Sequence, residues 1–192
     1  MMSVSQLIAR VGETDQLFLT QPSPELAIER AHLRLAMVQI SHSKTEQLHF
    51  LGEAAVILEL AAVEVTEQAI HERLSAQLAA VYLQFHHLSR ESRYLVVAGQ
   101  ILRPHSSAAF PEVYLQLARI DAARRKPALT KHWLTRWLKA LTQTPTHMPH
   151  FVLEACPEFA DILHEAWFVD INRASLALIQ HARLNPASPI HS

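Results

Sequence analysis

A chain of 192 residues, 49% of them apolar, carries enough hydrophobic material for a core of ordinary domain size and excludes disorder over most of its length. The formal net charge of −1 provides no overall field favouring nucleic acid or an acidic membrane, although thirteen histidines make the chain cationic as pH falls toward about 6. Only three glycines are present, which excludes a glycine-rich phosphate loop and a dinucleotide-binding turn and argues against a β-rich fold, whose tight turns need positive φ.

Residues Ser3 to Val11 suit a short amphipathic helix, followed by a less regular stretch to Gln21. Ser23-Pro24-Glu25 then opens a long helix reaching Ile40. Serine accepts from the free amides there, proline fits the first helical position, and glutamate suits the positive end of the dipole. Ser43 and Glu46 form a capping-box pattern for the next helix, Thr45 to Val63. Its alanine-rich, nearly continuous apolar second half predicts burial on more than one side. Thr66-Glu67 caps a helix in which Ile70, Leu74, Leu78, Val81, Tyr82 and Phe85 make a core stripe. Ser89-Arg90-Glu91 caps another, which Pro104 stops. Further helices span Pro111 to Arg125, Ala128 to Leu141 and Glu158 to Leu184, with a partly irregular segment from His147 to Pro157.

The expected fold class is therefore all-α, with about seven helices in antiparallel hairpins. A lead with a short helix over 1–22, a single helical domain over 23–184 and a flexible tail over 185–192 complete the organisation. The start of the chain lacks the basic-then-apolar pattern of a secretory leader. The longest apolar run, Ala54 to Val63, is broken by Glu59 and falls short of the roughly 20 residues needed to span a bilayer. A single cysteine excludes an internal disulfide framework. Together these features predict a cytoplasmic protein.

The hairpins also carry a repeat-like signal. Leu35-Ala36, Leu78-Ala79 and Leu117-Ala118 recur at spacings of 43 and 39, and Leu58, Leu102 and Leu141 at 44 and 39. In Pro111-Glu-Val-Tyr-Leu-Gln-Leu-Ala-Arg-Ile-Asp-Ala-Ala-Arg-Arg125, closed by Lys139 to Pro145, the chain resembles a tetratricopeptide-type helical hairpin repeat. The preceding unit offers Leu78, Ala79, Tyr82, Ser92, Gly99 and Pro104, and the resemblance covers roughly residues 30–145. It implies a stack of hairpins whose concave groove binds a peptide segment or a partner domain. An irregular helical bundle is the alternative architecture.

Charge is unevenly spread, with net −5 over residues 1–89, +7 over 90–139 and −3 over 140–192. Arg119, Arg124, Arg125, Lys126, Lys131, Arg136 and Lys139 are opposed locally only by Asp121. On a helical wheel, Trp133, Leu134, Trp137, Leu138 and Leu141 fall in one arc and Lys131, His132, Thr135, Arg136 and Lys139 in the other. These seven basic residues are the candidate partner-binding set, suited to an acidic protein segment. Because the tryptophans lie on the apolar arc, a nucleic-acid interface lacks its stacking component and ranks lower.

Two pairs have metal-ligand spacing. Glu46 with His49 and Asp161 with His164 each lie at i and i+3, which shares a face on a helix and is the spacing used by di-iron bundles. Glu29 and Glu72 are notional further ligands. His86 and His87 project about 100° apart. His147 and His150 flank Met148-Pro149, and Cys156 reads as a small buried residue. No GxSxG elbow or HExxH helix occurs. No catalytic residue, cofactor or metal ligand is assigned on this basis. The expected function is a protein-interaction module of the adaptor, chaperone-like or regulatory-subunit type. A carboxylate–histidine metalloprotein and a nucleic-acid-binding regulator are the alternatives.

Overall fold

The computed structural model describes residues 3–143 and 152–184. His147, His150 and the tail expected over 185–192 lie outside them. All regular structure among the described residues is helical: α1 (Val4–Thr20), α2 (Pro24–Ile40), α3 (Lys44–Glu64), α4 (Gln68–Ser89), α5 (Arg93–Leu102), α6 (Pro111–Ala123), α7 (Pro127–Gln143) and α8 (Ala166–Leu184). Short 3-10 turns lie at Arg103–His105, Leu153–Ala155 and Pro157–Ile162. Among the described residues, no helix is long and apolar enough to cross a membrane. The chain divides into two compact units, Met1–Ser107 and Ala108–Ser192, where the sequence predicts one helical domain over 23–184.

In the first unit the linkers 21–23, 41–43, 65–67 and 90–92 turn the chain so that each helix packs on its neighbour, and α2 also meets α4. Serine begins the first three helices. Ser3 accepts from the Gln6 amide at 3.2 Å while the Gln6 side chain accepts from the Ser3 amide at 2.8 Å, a complete capping box. Ser23 accepts from the Leu26 amide at 3.1 Å, with Pro24 at the first helical position. The box expected at Ser43 and Glu46 is only half made, because the Glu46 carboxylate accepts from the Ser41 hydroxyl at 2.6 Å instead. Ser89 accepts from the Glu91 amide at 3.2 Å but does not cap the next helix. Its hydroxyl donates back to the Phe85 carbonyl, Arg90 turns left-handed (φ 63°), and the next helix starts after Ser92.

Ala31, Val38, Leu51, Leu58, Leu74, Leu78 and Val81 centre the core of this unit on α2, α3 and α4. Two expectations change here. The stretch up to Gln21 is not irregular, because α1 continues through it to Thr20. And α3 buries Leu51, Ala54, Ala55, Leu58 and Ala61 on one side only, leaving Val56, Leu60 and Val63 at 53%, 65% and 83% exposure.

Helix α1 fully buries only Leu7 and Thr14, so apolar burial contributes little to its docking. Charge does the rest. Arg10 donates to Glu29 at 2.9 Å, Arg30 to Asp15 at 2.8 Å, and the buried Arg34 both to Asp15 at 2.6 Å and to Glu53 on α3 at 3.2 Å. The Arg30 guanidinium also lies over the Phe18 ring, 4.4 Å from its centre.

In the second unit, α6 and α7 form a hairpin closed by the 124–126 linker. Arg125 adopts φ 57°, the Lys126 amide donates to the Asp121 carbonyl at 2.9 Å and the Arg125 amide to the Ala122 carbonyl at 2.8 Å. This is a Schellman closure with arginine where glycine is usual. Leu115, Leu134, Trp137, Leu141, Phe159 and Phe168 fill the core. Pro127 opens α7 rather than only ending α6. The last helix begins at Ala166, not at Glu158. The preceding 3-10 turn carries two consecutive inward side chains, Glu158 and Phe159, both buried.

Partial burial pushes the Asp15 carboxyl up, but hydrogen bonds and charge from Arg34 and Arg30 outweigh it and hold the group below the usual carboxylate range. Its stabilisation is therefore whole above about pH 4, the unfolded value, and is lost as pH falls through the folded one. We expect Asp15→Asn to lower stability by about 1 kcal/mol at neutral pH, a figure reduced for its partly exposed setting. Amide exchange should rise first in Val4–Thr20, and the difference from the parent should shrink below about pH 4. Equal exchange in α1 at neutral pH would show that charge does not hold it.

Candidate functional site

The open surface of the first unit follows from the α2 pattern. Glu25, Ile28, Glu29, His32, Ala36, Gln39 and Ile40 recur at three and four and so share one face. With Leu7 from α1 and Arg73 from α4 they line a groove of 660 Å³. Its apolar lining is Leu7, Ile28, Leu33, Ala36 and Ile40; its polar lining is Glu25, Glu29, His32, Gln39 and Arg73. His32 Nε2 lies 2.9 Å from Gln77 Oε1, tying α2 to α4. The exposed Val56, Leu60 and Val63 stripe on α3 is a second apolar surface.

In the second unit the seven basic residues separate into two groups. Arg119 is committed to the fold: its Nε and Nη2 donate to the buried Glu158 carboxylate at 3.2 and 2.9 Å, and its Nη1 to Gln116 at 2.9 Å. Arg136 lies over the Tyr114 ring at 4.6 Å and donates to the Tyr114 hydroxyl at 3.2 Å. Arg124 sits 3.9 Å from Asp121. Arg125, Lys126, Lys131 and Lys139 are exposed. The local opposition is more than Asp121 alone, because Glu158, Asp161 and Glu165, distant in sequence, line a cleft of 410 Å³ with Arg125 and Lys126. The apolar arc of α7 is as the wheel places it. Trp137 is buried, and the half-buried Trp133 donates its indole N–H to Asp121 at 3.1 Å, so neither is an open stacking platform.

The pairs with metal-ligand spacing are occupied locally. Glu46 binds Ser41, and the exposed His49 lies 3.3 Å from Glu53. Glu29 binds Arg10, and Glu72 accepts from Gln68. Asp161 falls in the 3-10 turn and His164 beyond it, so the helical i, i+3 face expected of them does not form. His86 Nδ1 lies 3.1 Å from the Glu91 carbonyl. Among the described residues, no group of three or more His, Cys, Asp and Glu side chains is placed to hold a metal ion. Cys156 is buried, and burial pushes its thiol up to about 11.

One polar cluster has no counterpart in the sequence pattern. His71 and Ser75, one turn apart on α4, meet the buried His105 from the turn after α5. The i, i+4 spacing of His71 and Ser75 is visible in the sequence, but their encounter with His105 depends on how α5 folds back.

No protein-family model, curated protein or solved structure matches the chain.

Two outcomes follow from the second unit. Arg119→Gln leaves Glu158 buried without its cation and should cost about 3–5 kcal/mol in thermal or denaturant unfolding, whereas Lys131→Glu with Lys139→Glu should stay within about 0.5 kcal/mol. The Cys156 thiol should resist an aromatic disulfide reagent in the native protein and react only on unfolding. Rapid native labelling would contradict its burial.

Proposed function

We propose that the chain is a cytoplasmic protein-interaction module, of the adaptor, chaperone-like or regulatory-subunit type, that takes a segment of a partner protein into the groove of its first unit. The observation that carries this is the groove's composition: five apolar side chains, Leu7, Ile28, Leu33, Ala36 and Ile40, line it together with Glu25, Glu29 and Arg73. Covering these apolar side chains yields about 25 cal/mol per Å² of apolar surface removed from water. The charged Glu25, Glu29 and Arg73 orient a guest of complementary charge.

The reading also draws on the resemblance to tetratricopeptide-type repeats, whose grooves hold peptide segments, and α2 packs against both α3 and α4. The exposed Arg125, Lys126, Lys131 and Lys139 fit a steering role toward an acidic part of the partner, with Arg119, Arg124 and Arg136 contributing through the fold.

Affinity capture from the native cell tests this with three proteins. Ala36→Glu combined with Ile40→Glu should reduce recovery of the partner at least tenfold without moving the unfolding transition, while Leu60→Glu on α3 should retain it. Full recovery with the groove variant removes the proposal, and loss confined to Leu60→Glu transfers the contact to α3.

A further inference from the structure

The cleft of 410 Å³ in the second unit gathers charges of both signs from two chain segments. The linker between α6 and α7 supplies Arg125 and Lys126, and the turn Pro157–Ile162 with the residues after it supplies Asp161 and Glu165. Glu158 also lines the cleft, but its carboxylate is buried and already held by Arg119 at 2.9 and 3.2 Å. The other four are exposed. Glu165 lies 3.9 Å from His164, and among the described residues no ion pair or hydrogen bond joins either cation to either carboxylate.

Such a lining selects by charge. Two cations and two carboxylates sum to zero. A simple anion drawn by Arg125 and Lys126 is therefore opposed by Asp161 and Glu165, and a simple cation meets the reverse. A ligand that carries both signs gains from both pairs. Its carboxylate takes charge-assisted hydrogen bonds from the Arg125 guanidinium and the Lys126 ammonium, and its own ammonium donates to Asp161 and Glu165.

Ala122, Pro127 and Ile162 complete the lining with apolar surface suited to a hydrocarbon side chain. The volume falls in the range of about 300–1,000 Å³ usual for small-molecule sites. We propose that this cleft binds a small zwitterion with a free amino group, a free carboxylate and an apolar side chain, of amino-acid or dipeptide size. Because the four charged side chains are exposed, the binding is modest in strength and weakens with salt. The site shares no residue with the α2 groove.

The test titrates the full chain at low salt with leucine and with leucyl-leucine, each also in its N-acetylated and its amidated form, and follows the backbone amide shifts. The expected result is saturable shifts at residues 122–130 and 158–165, with a dissociation constant below about 1 mM for leucine or leucyl-leucine and at least about tenfold weaker binding of either blocked form. The tighter of the two free ligands gives the size of the natural one. Arg125→Gln with Lys126→Gln should weaken the free ligand about tenfold and leave the amide unchanged, whereas Asp161→Asn with Glu165→Gln should weaken it similarly and leave the N-acetyl form unchanged. All four positions are exposed, so melting temperatures should stay at the parent value, and Lys131→Gln with Lys139→Gln should alter no affinity. Absence of saturable shifts with both free ligands, shifts confined to other residues, blocked forms that bind as well as free ones, or affinities unmoved by both double variants would each overturn the proposal.

Discussion

Asp15 and Arg34 hold α1 to the first unit, where apolar packing is thin. Arg34 is buried on α2, reaches Asp15 on α1 and Glu53 on α3, and so fixes three helices by one guanidinium. A buried cation tolerates few arrangements, because any shift that removes a carboxylate leaves an uncompensated charge. The position of α1 is set in this way. Leu7, carried on α1, then becomes part of the wall of the α2 groove, so an electrostatic contact shapes an apolar surface.

The helical architecture was readable because its signals are local. Ser23-Pro24, Pro111 and the stripe from Ile70 to Phe85 act within a turn or two, and the structure places helices where they point. The errors occur where distant residues decide. Nothing near Asp15 marks α1 as continuous, since its partners Arg30 and Arg34 lie a helix away. Glu46 was free to complete a box, yet Ser41 across the linker takes it. Glu158 and Phe159 look like the start of a helix, and burial turns both inward instead.

The charge map was legible as composition and incomplete as geometry. Counting along the chain shows a basic middle correctly, but not that Arg119 is held by an acid 39 positions later or that Arg136 lies against Tyr114. The wheel for α7 succeeded because amphipathic placement depends on periodicity alone. The continuous apolar run in α3 misled for the opposite reason: it states how much surface wants cover, not whether a neighbour arrives to give it. Val56, Leu60 and Val63 stay more than half exposed.

The three-residue linkers have a kinetic consequence. In the first unit nearly every packed pair of helices is also adjacent along the chain, so few contacts wait for a long segment to close. Closure entropy is lost in small, similar steps, and the mean sequence separation of contacts is low. Such a topology assembles hairpin upon hairpin on the fast end of the folding scale. A newly made chain would present a finished α2 and α3 before α5 had been joined to them.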